Sequence, residues 1–174
     1  MSDALQCPDH TASGWELVEL MGEHCACYQT LLVLLDVQHQ ALVDHDLGAL
    51  GATLASQEEL LARILTIEER RHDLYQSVCK GVGLTETAVL SDLLDCDDLD
   101  PDLVCALQRH AGALRDVTEQ AKKRNLENQM LINDALKLLD YSVEEIKQLA
   151  FQNTTYKKDS ETGESSSIIM DEQR

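Results

Sequence analysis

The sequence predicts an all-α fold, in which an antiparallel helical hairpin and a long third helix form an elongated, coiled-coil-like three-helix bundle. Apolar residues recur at alternating three- and four-residue steps along three long segments, which is typical of amphipathic helices. The only two prolines, Pro8 and Pro101, lie outside these patterns. Aromatic residues make up only 3% of the chain, so a core of Leu and Ala between thin helices is expected.

The first helix is predicted to begin at Ser13, because Ser13 and Glu16 have the spacing of a capping box. Residues 1–12 show no periodic pattern and are predicted to be irregular. The helix should end near Asp44. Its apolar stripe comprises Val18, Met21, Cys25, Tyr28, Leu32, Leu35, His39 and Leu42.

The second helix follows a short polar turn, in which Asp46 is the predicted N-cap. It should end at the glycines Gly81 and Gly83. Because the connection is short, the first two helices must form an antiparallel hairpin. The predicted stripe comprises Leu47, Leu50, Leu54, Gln57, Leu61, Ile64, Glu68, Arg71, Tyr75 and Val78.

A short crossover helix is predicted within residues 85–94, in a segment so acidic that it should be exposed. Asp100 and Pro101 then supply an N-cap and a first helical residue for the third helix, which can run to about Phe151. Ser142 begins a second capping-box spacing, so a restart of the helix after Tyr141 stays open. The helical bundle is thus assigned to residues 13–151.

Two heptad rows along the third helix carry asparagines. One row is Leu107, Leu114, Ala121, Asn128, Ala135, Ser142 and Leu149; the other is Val104, Ala111, Thr118, Asn125, Ile132, Leu139 and Ile146. We predict that Asn125 and Asn128 form a structural polar layer that fixes register or partner choice. The alternative is that both asparagines simply face solvent. Under the first reading, replacing both by Leu should preserve stability or raise it.

The third helix is predicted to be longer than its partners, at roughly 75 Å against roughly 45–50 Å. Ile146, Leu149 and Phe151 would then lack an intramolecular partner, and an uncovered apolar stripe usually marks a binding site. Residues 152–174 are polar and are predicted to be a disordered tail. The apolar cluster around Ile168 and Ile169 is either a docking motif within that tail or inert.

Composition argues against several classes of function. The net charge of −18 disfavours binding to nucleic acid or to anionic lipid. No apolar run approaches the ~20 residues of a membrane span, and no secretory signal is visible. The six cysteines lack a framework spacing and are interpreted as reduced thiols in a cytoplasmic protein. No catalytic motif, metal site or cofactor site is recognised, so we expect no enzyme activity, metal or cofactor.

Several motifs, in the order in which they occur along the chain, resemble those of the FlgN family of flagellar export chaperones. They are the helix, aspartate-containing turn and helix of residues 34–50, and the Leu, Glu and Arg pattern of residues 65–70. Asn125 and Asn128 followed by an apolar pair also match. Tyr156, Gly163 and the apolar–Asp step of residues 169–171 match in the tail. Gln129 departs from the glycine that the family commonly has after the second asparagine.

The resemblance implies a cytoplasmic chaperone that binds hook-associated proteins, the hook–filament junction proteins, before type III export. In that family the C-terminal part of the chaperone engages the C-terminal helical segment of its client. Carried over to this chain, the partner-binding residues are Ile146, Leu149, Phe151, Tyr156, Ile168 and Ile169. An export-gate component is a further partner left open, and the chain should be a monomer or weak dimer. The competing reading is a self-associating structural coiled-coil protein.

Overall fold

The computed structural model describes the backbone of residues 9–85 and 87–162, and the side chains of residues 11–85, 87–149 and 151. Helix α1 spans Asp9–Val43, α2 spans Leu47–Gly81, α3 spans Leu90–Leu94 and α4 spans Pro101–Thr162. No strand occurs among these residues, which confirms the all-α prediction. The chain divides into unit 1, Met1–Gln129, and unit 2, Met130–Arg174.

The helices extend beyond two of the predicted boundaries. Helix α1 begins at Asp9 rather than at Ser13, since the residues between them include no helix breaker and an acidic first residue favours the helix dipole. The assignment of residues 1–12 as irregular is therefore wrong from Asp9 onward, and residues 1–8 lie outside the described part of the chain.

Helix α4 continues past the predicted end at Phe151 to Thr162. No Gly or Pro occurs between Gly112 and Gly163, so no residue in this stretch interrupts the helix. The possible restart at Ser142 is not observed, because the Ser142 hydroxyl donates to the carbonyl of Leu138 within the helix at 2.9 Å. The remainder of the predicted tail, residues 163–174, lies outside the described residues.

The turn between α1 and α2 is built as predicted. Asp46 is the N-cap of α2, and its carboxylate accepts a hydrogen bond from the backbone N–H of Ala49 at 2.9 Å. His45, just before it, has a positive φ of 58°, a left-handed conformation that reverses the chain. The two helices therefore leave the turn in opposite directions.

Contacts across unit 1 define the order of its helices. Glu16 of α1 pairs with Arg70 of α2 at 3.2 Å, while Gln38 lies against Gln57 nearer the turn, so α1 and α2 are antiparallel. Along α4 the order of contacts matches that along α1. Gly14 faces Leu103, Gly22 faces His110, and Asp36 pairs with Arg124 at 2.6 Å. Helix α4 is therefore parallel to α1.

One core cluster joins all four helices within unit 1. Its buried residues are Leu17, Val18 and Met21 of α1, Val78 and Cys79 of α2, Leu93 of α3, Leu99, and Leu103, Ala106 and Leu107 of α4. Leu93 and Leu99 thus attach the acidic crossover to the core, which corrects the prediction that the whole crossover is exposed. A second cluster, Leu20, Cys27, Ile64 and Ile67, joins α1 to α2.

The predicted stripes of α2 and α4 each contain one correct row and one row displaced by a residue. In α2 the row through Gln57, Ile64 and Val78 is buried. The other buried positions are Thr53 and Ile67, whereas the predicted Leu54 and Leu61 are exposed. In α4 the row through Leu107, Ala121 and Asn128 is buried, and its companions are Leu103 and Val117 rather than Val104 and Thr118.

The described cysteines are free thiols, and three of them pack as small apolar side chains. Cys25, Cys27 and Cys79 are buried, Cys96 is half-buried and Cys105 is exposed. Cys27 and Cys79 belong to the two core clusters, as expected for cysteines on helical stripes. Cys7 lies outside the described residues.

Candidate partner-binding surface

Unit 2 presents a dense set of exposed apolar side chains on α4. Their exposed fractions range from 49% to 79%, although residues of these types are usually buried. The set is Met130, Leu136, Leu138, Leu139, Tyr141, Val143, Ile146, Leu149 and Phe151. Where such residues share one face of a helix, that face marks an interaction site more often than a free surface.

The apolar residues of unit 2 follow a heptad register. Steps of three and four residues connect one row, here called the C-terminal stripe: Ile132, Ala135, Leu139, Ser142, Ile146 and Leu149. Ile132 is half-buried, and the others are exposed. Because such steps return to the same side of a helix, the stripe forms one continuous face of α4.

The structure places only part of the predicted partner-binding set on this stripe. Ile146 and Leu149 belong to it. Phe151 is exposed but follows Leu149 by two residues, about 200° around the helix, so it lies off the C-terminal stripe. Tyr156 lies within α4, with its side chain outside the described set, and Ile168 and Ile169 fall in the undescribed segment of residues 163–174.

The charged residues between residues 130 and 151 lie off the C-terminal stripe. Lys137 pairs with Asp134 at 3.0 Å and Lys147 with Glu144 at 3.7 Å, both with exposed side chains. Exposed pairs at this spacing contribute only ~0.3–0.5 kcal/mol to helix stability, so they add little to the stability of α4. With Asp140 and Glu145, acidic residues outnumber the two lysines between residues 130 and 151.

A polar layer closes unit 1 at Asn128, which is 1% exposed. The Asn128 Nδ2 donates to the carbonyl of Leu35 and to Oε1 of Gln38, both at 2.9 Å. The Gln38 Oε1 also accepts from Nε2 of Gln57 at 3.3 Å. The amide network therefore connects α4, α1 and α2, as a layer that fixes helix register should.

His39 completes the layer at the edge of the core. Its Nδ1 lies 2.9 Å from Oδ1 of Asn128. The Asn128 amide is oriented by its two Nδ2 contacts, so its Oδ1 faces His39 and accepts a hydrogen bond from Nδ1. Gln38, Gln57 and His39 were not predicted as members of the layer, although all three lie on the predicted or observed helix stripes.

Asn125 does not belong to this layer. Its side chain is exposed, because the buried companions of the Asn128 row lie one residue earlier in each heptad. The alternative given for the asparagines, an amide that faces solvent, therefore applies to Asn125. The predicted pair is thus reduced to Asn128.

A second buried polar group lies between α1 and α2. His24 is 3% exposed, and neither ring nitrogen has a hydrogen-bond partner among the described residues. Its ring is 5.1 Å from that of Tyr28. Burial, reinforced by the nearby Arg71 guanidinium and opposed by Glu68, lowers the pKa of His24 below its usual 6.5. His24 is therefore neutral in the folded protein near neutral pH.

Other kinds of site receive little support within the described residues. No group of three His, Cys, Asp or Glu side chains is arranged to hold a metal ion there. A shallow cleft of about 320 Å³ lies beside Arg71, His72 and Tyr75, and Tyr75 closes one wall by donating to the carbonyl of Ala88 at 3.0 Å. No described helix has the length and apolar character of a membrane span.

Comparison with known protein families decides the class of the chain. A family model described as FlgN protein matches residues 15–164, which is most of the sequence. The chain belongs to the FlgN family. FlgN proteins are flagellar export chaperones rather than enzymes, and the predicted family is thereby confirmed. Comparisons with curated proteins and with solved structures gave no significant match.

The FlgN match includes both the polar layer and the C-terminal stripe. The matched range begins within α1 and ends just beyond α4. A chaperone binds other proteins through exposed apolar surface, and the C-terminal stripe is such a surface.

Proposed function

We propose that this FlgN-family protein is a cytoplasmic chaperone for hook-associated proteins, which it binds before their type III export through the flagellar export gate. The client contact is assigned to the C-terminal stripe of α4. Among the predicted residues, Ile146 and Leu149 occupy this stripe, and Phe151 is a neighbouring exposed side chain. Tyr156, Ile168 and Ile169 enter the proposal on the family resemblance alone.

The observation that carries the proposal is the exposure of a heptad row. Ile146 is 65% exposed and Leu149 is 60% exposed, yet both occupy positions that a helical partner would bury. A client segment with an amphipathic helix can cover such a row in the manner of a helix in a groove. The client in turn would be kept from aggregating, because its own apolar face is covered until export.

The test is a charge-insertion pair on the stripe, Ile146→Asp with Leu149→Asp. Burial of each side chain is worth roughly 1.5–3 kcal/mol, so the double variant should weaken binding by about a hundredfold or more. Titration calorimetry against the C-terminal segment of a hook–filament junction protein measures this loss. A melt followed by circular dichroism checks that unit 1 remains folded.

A matched control variant changes two residues of the same segment that lie off the C-terminal stripe. Asn133 and Gln148 are exposed polar residues off the stripe. Changing both to Asp adds the same charge to the same helix, at a similar cost in helix propensity. The control should bind like the wild type. If the stripe variant also binds like the wild type, the C-terminal stripe is not the client site.

Self-association is the competing function for the same surface. Two copies could pair their C-terminal stripes, as in a structural coiled coil. The net charge of −18 per chain opposes that pairing through like-charge repulsion. Light scattering across a concentration series distinguishes the two: a monomer or weak dimer supports the chaperone, and a tight oligomer supports the structural protein.

A further inference from the structure

The apolar face of unit 2 is wider than a single heptad row. Leu131 and Leu138 border the C-terminal stripe on one side, and Leu136 and Val143 border it on the other. These four residues are here called the flanks. Leu136, Leu138 and Val143 are 54%, 67% and 49% exposed. With 3.6 residues per turn, the apolar arc from Leu138 to Leu136 covers roughly 160° of the helix.

This width is more than one partner helix can cover. In a two-stranded coiled coil the central row is buried, and the flanking positions remain at the edge, where they usually carry charge. Apolar residues on both flanks are instead typical of a helix in the core of a bundle, with neighbours on each side. Glu145 is the one charged residue at a flanking position between residues 131 and 149.

Unit 1 shows the same helix, α4, packed between two neighbouring helices. In the core cluster, α4 packs against residues from both α1 and α2, including Met21 and Val78. There the positions beside the central row of α4 are also apolar: Ala106 is buried, and Val104 and Ala111 pack against the cluster. Within this cluster, where α4 has two neighbours, the positions beside its central row are therefore apolar and covered.

We infer that the C-terminal stripe and its flanks bind two helices of one client chain, so that α4 of unit 2 completes a three-helix bundle. This inference rests on the proposed chaperone function. A second copy of this chain is the less suitable occupant, because it brings the same acidic surface and a net charge of −18. The fitting client segment has two amphipathic helices whose polar sides are neutral or basic.

The flanks supply the test, with the full chain as the chaperone. One variant is Leu138→Gln, and the other is Leu136→Gln with Val143→Gln. The control is Tyr141→Gln, because Tyr141 is 73% exposed but lies outside the apolar arc. The probe is the C-terminal segment of a hook–filament junction protein, used whole and as its separate helices in titration calorimetry.

If two helices bind, each flank variant should weaken affinity for the whole segment by about tenfold or more, while the Tyr141 control stays within about twofold. Each separate helix should bind much more weakly than the whole segment. Wild-type affinity in both flank variants, or full affinity for one separate helix, overturns the inference.

The outcomes also distinguish this inference from the proposed function. If Ile146→Asp with Leu149→Asp abolishes binding while the flank variants do not, the chaperone site stands and only the two-helix client is refuted. If neither set affects binding, the proposed function fails as well. A wild-type dimer that Leu138→Gln converts to monomer in light scattering makes a second copy the occupant and also overturns the inference.

Discussion

Replacement of Asn128 by Leu should destabilise unit 1, contrary to what the heptad pattern alone predicts. Asn128 makes three side-chain contacts at 2.9 Å, to Leu35, Gln38 and His39, each worth ~1 kcal/mol net. A buried leucine returns about 2 kcal/mol through burial. It also removes one of two donors from the buried Gln38 oxygen, which costs another ~1–3 kcal/mol. The expected net loss is therefore about 2–4 kcal/mol.

The assay is guanidinium denaturation followed by far-UV circular dichroism. Asn125→Leu is the matched control, because it makes the same substitution on the same helix at an exposed position. Its free energy of unfolding should lie within ~0.5 kcal/mol of the wild type. If Asn128→Leu is as stable as the wild type, the amide network contributes nothing and the reasoning from its geometry is refuted.

A triple variant separates hydrogen bonding from shape. Changing Gln38, Gln57 and Asn128 together to Leu removes every amide of the layer, so no donor or acceptor of that set remains buried and unpaired. Because exchange of a whole polar set for apolar groups of similar shape can be nearly neutral, most of the lost stability should return. A triple variant less stable than Asn128→Leu would contradict this account.

Three further outcomes follow from unit 1. Because the pKa of His24 is lowered in the folded state, the unfolded protein binds more protons, so stability is full above pH ~6.5 and falls as pH drops below it. His24→Phe should flatten this dependence in melts across pH, while His45→Gln at the exposed turn should not. Gly14→Ala should destabilise the protein, because a Cβ there would lie against the fully buried Leu103. Gly51→Ala should instead stabilise it by ~0.5–1 kcal/mol, because the space around Gly51 is open. Thermal melts of the two variants compare these effects. Asp46→Ala should cost ~0.5–2 kcal/mol in the same melts through loss of the bond to Ala49, and an unchanged melting temperature would contradict the cap assignment.

The helices and the hairpin could be predicted from the sequence because their signals are local. Asp46 was identified as a cap from its residue type and its position before an apolar run, and the structure gives it that bond. The start of α1 was missed because Ser13 and Glu16 have capping-box spacing without serving as a cap. A local motif states what a residue can do, and the adjoining residues decide whether the helix already began earlier.

The second row of each long helix could not be predicted from periodicity. In α2 the leucines at 54 and 61 are more apolar than Thr53, yet Thr53 is buried and both leucines are exposed. A row one residue away satisfies the same three- and four-residue steps, so hydrophobicity alone selected the wrong one. Which of two adjacent rows is buried depends on the partner helix, and that information is not local.

The flanks of unit 2 were missed for a related reason. Leu136, Leu138 and Val143 are plain in the sequence, but they belong to neither of the two predicted heptad rows. Heptad rows leave such residues out, whereas the angular width of the apolar face includes them. That width could have been measured from the sequence, and it indicates the number of partner helices rather than the existence of a site.

Asn128 is the position where the heptad phase of α4 changes. Before Asn128, the buried companions of the Asn128 row are Leu103 and Val117, each four residues before a member of that row. After it, the apolar companions are Ile132 and Leu139, displaced by one residue. Such a stutter lets a long helix keep an apolar face in each part without a continuous seven-residue repeat.

An apolar side chain at position 128 would suit either heptad phase, so packing alone would select neither. The bonds from Asn128 to Leu35 and Gln38 exist in one axial alignment of α4 with α1, and a slip of one turn would break both. We therefore predict that the amide fixes register as well as adding stability, so the triple leucine variant should fold stably yet lose its single alignment.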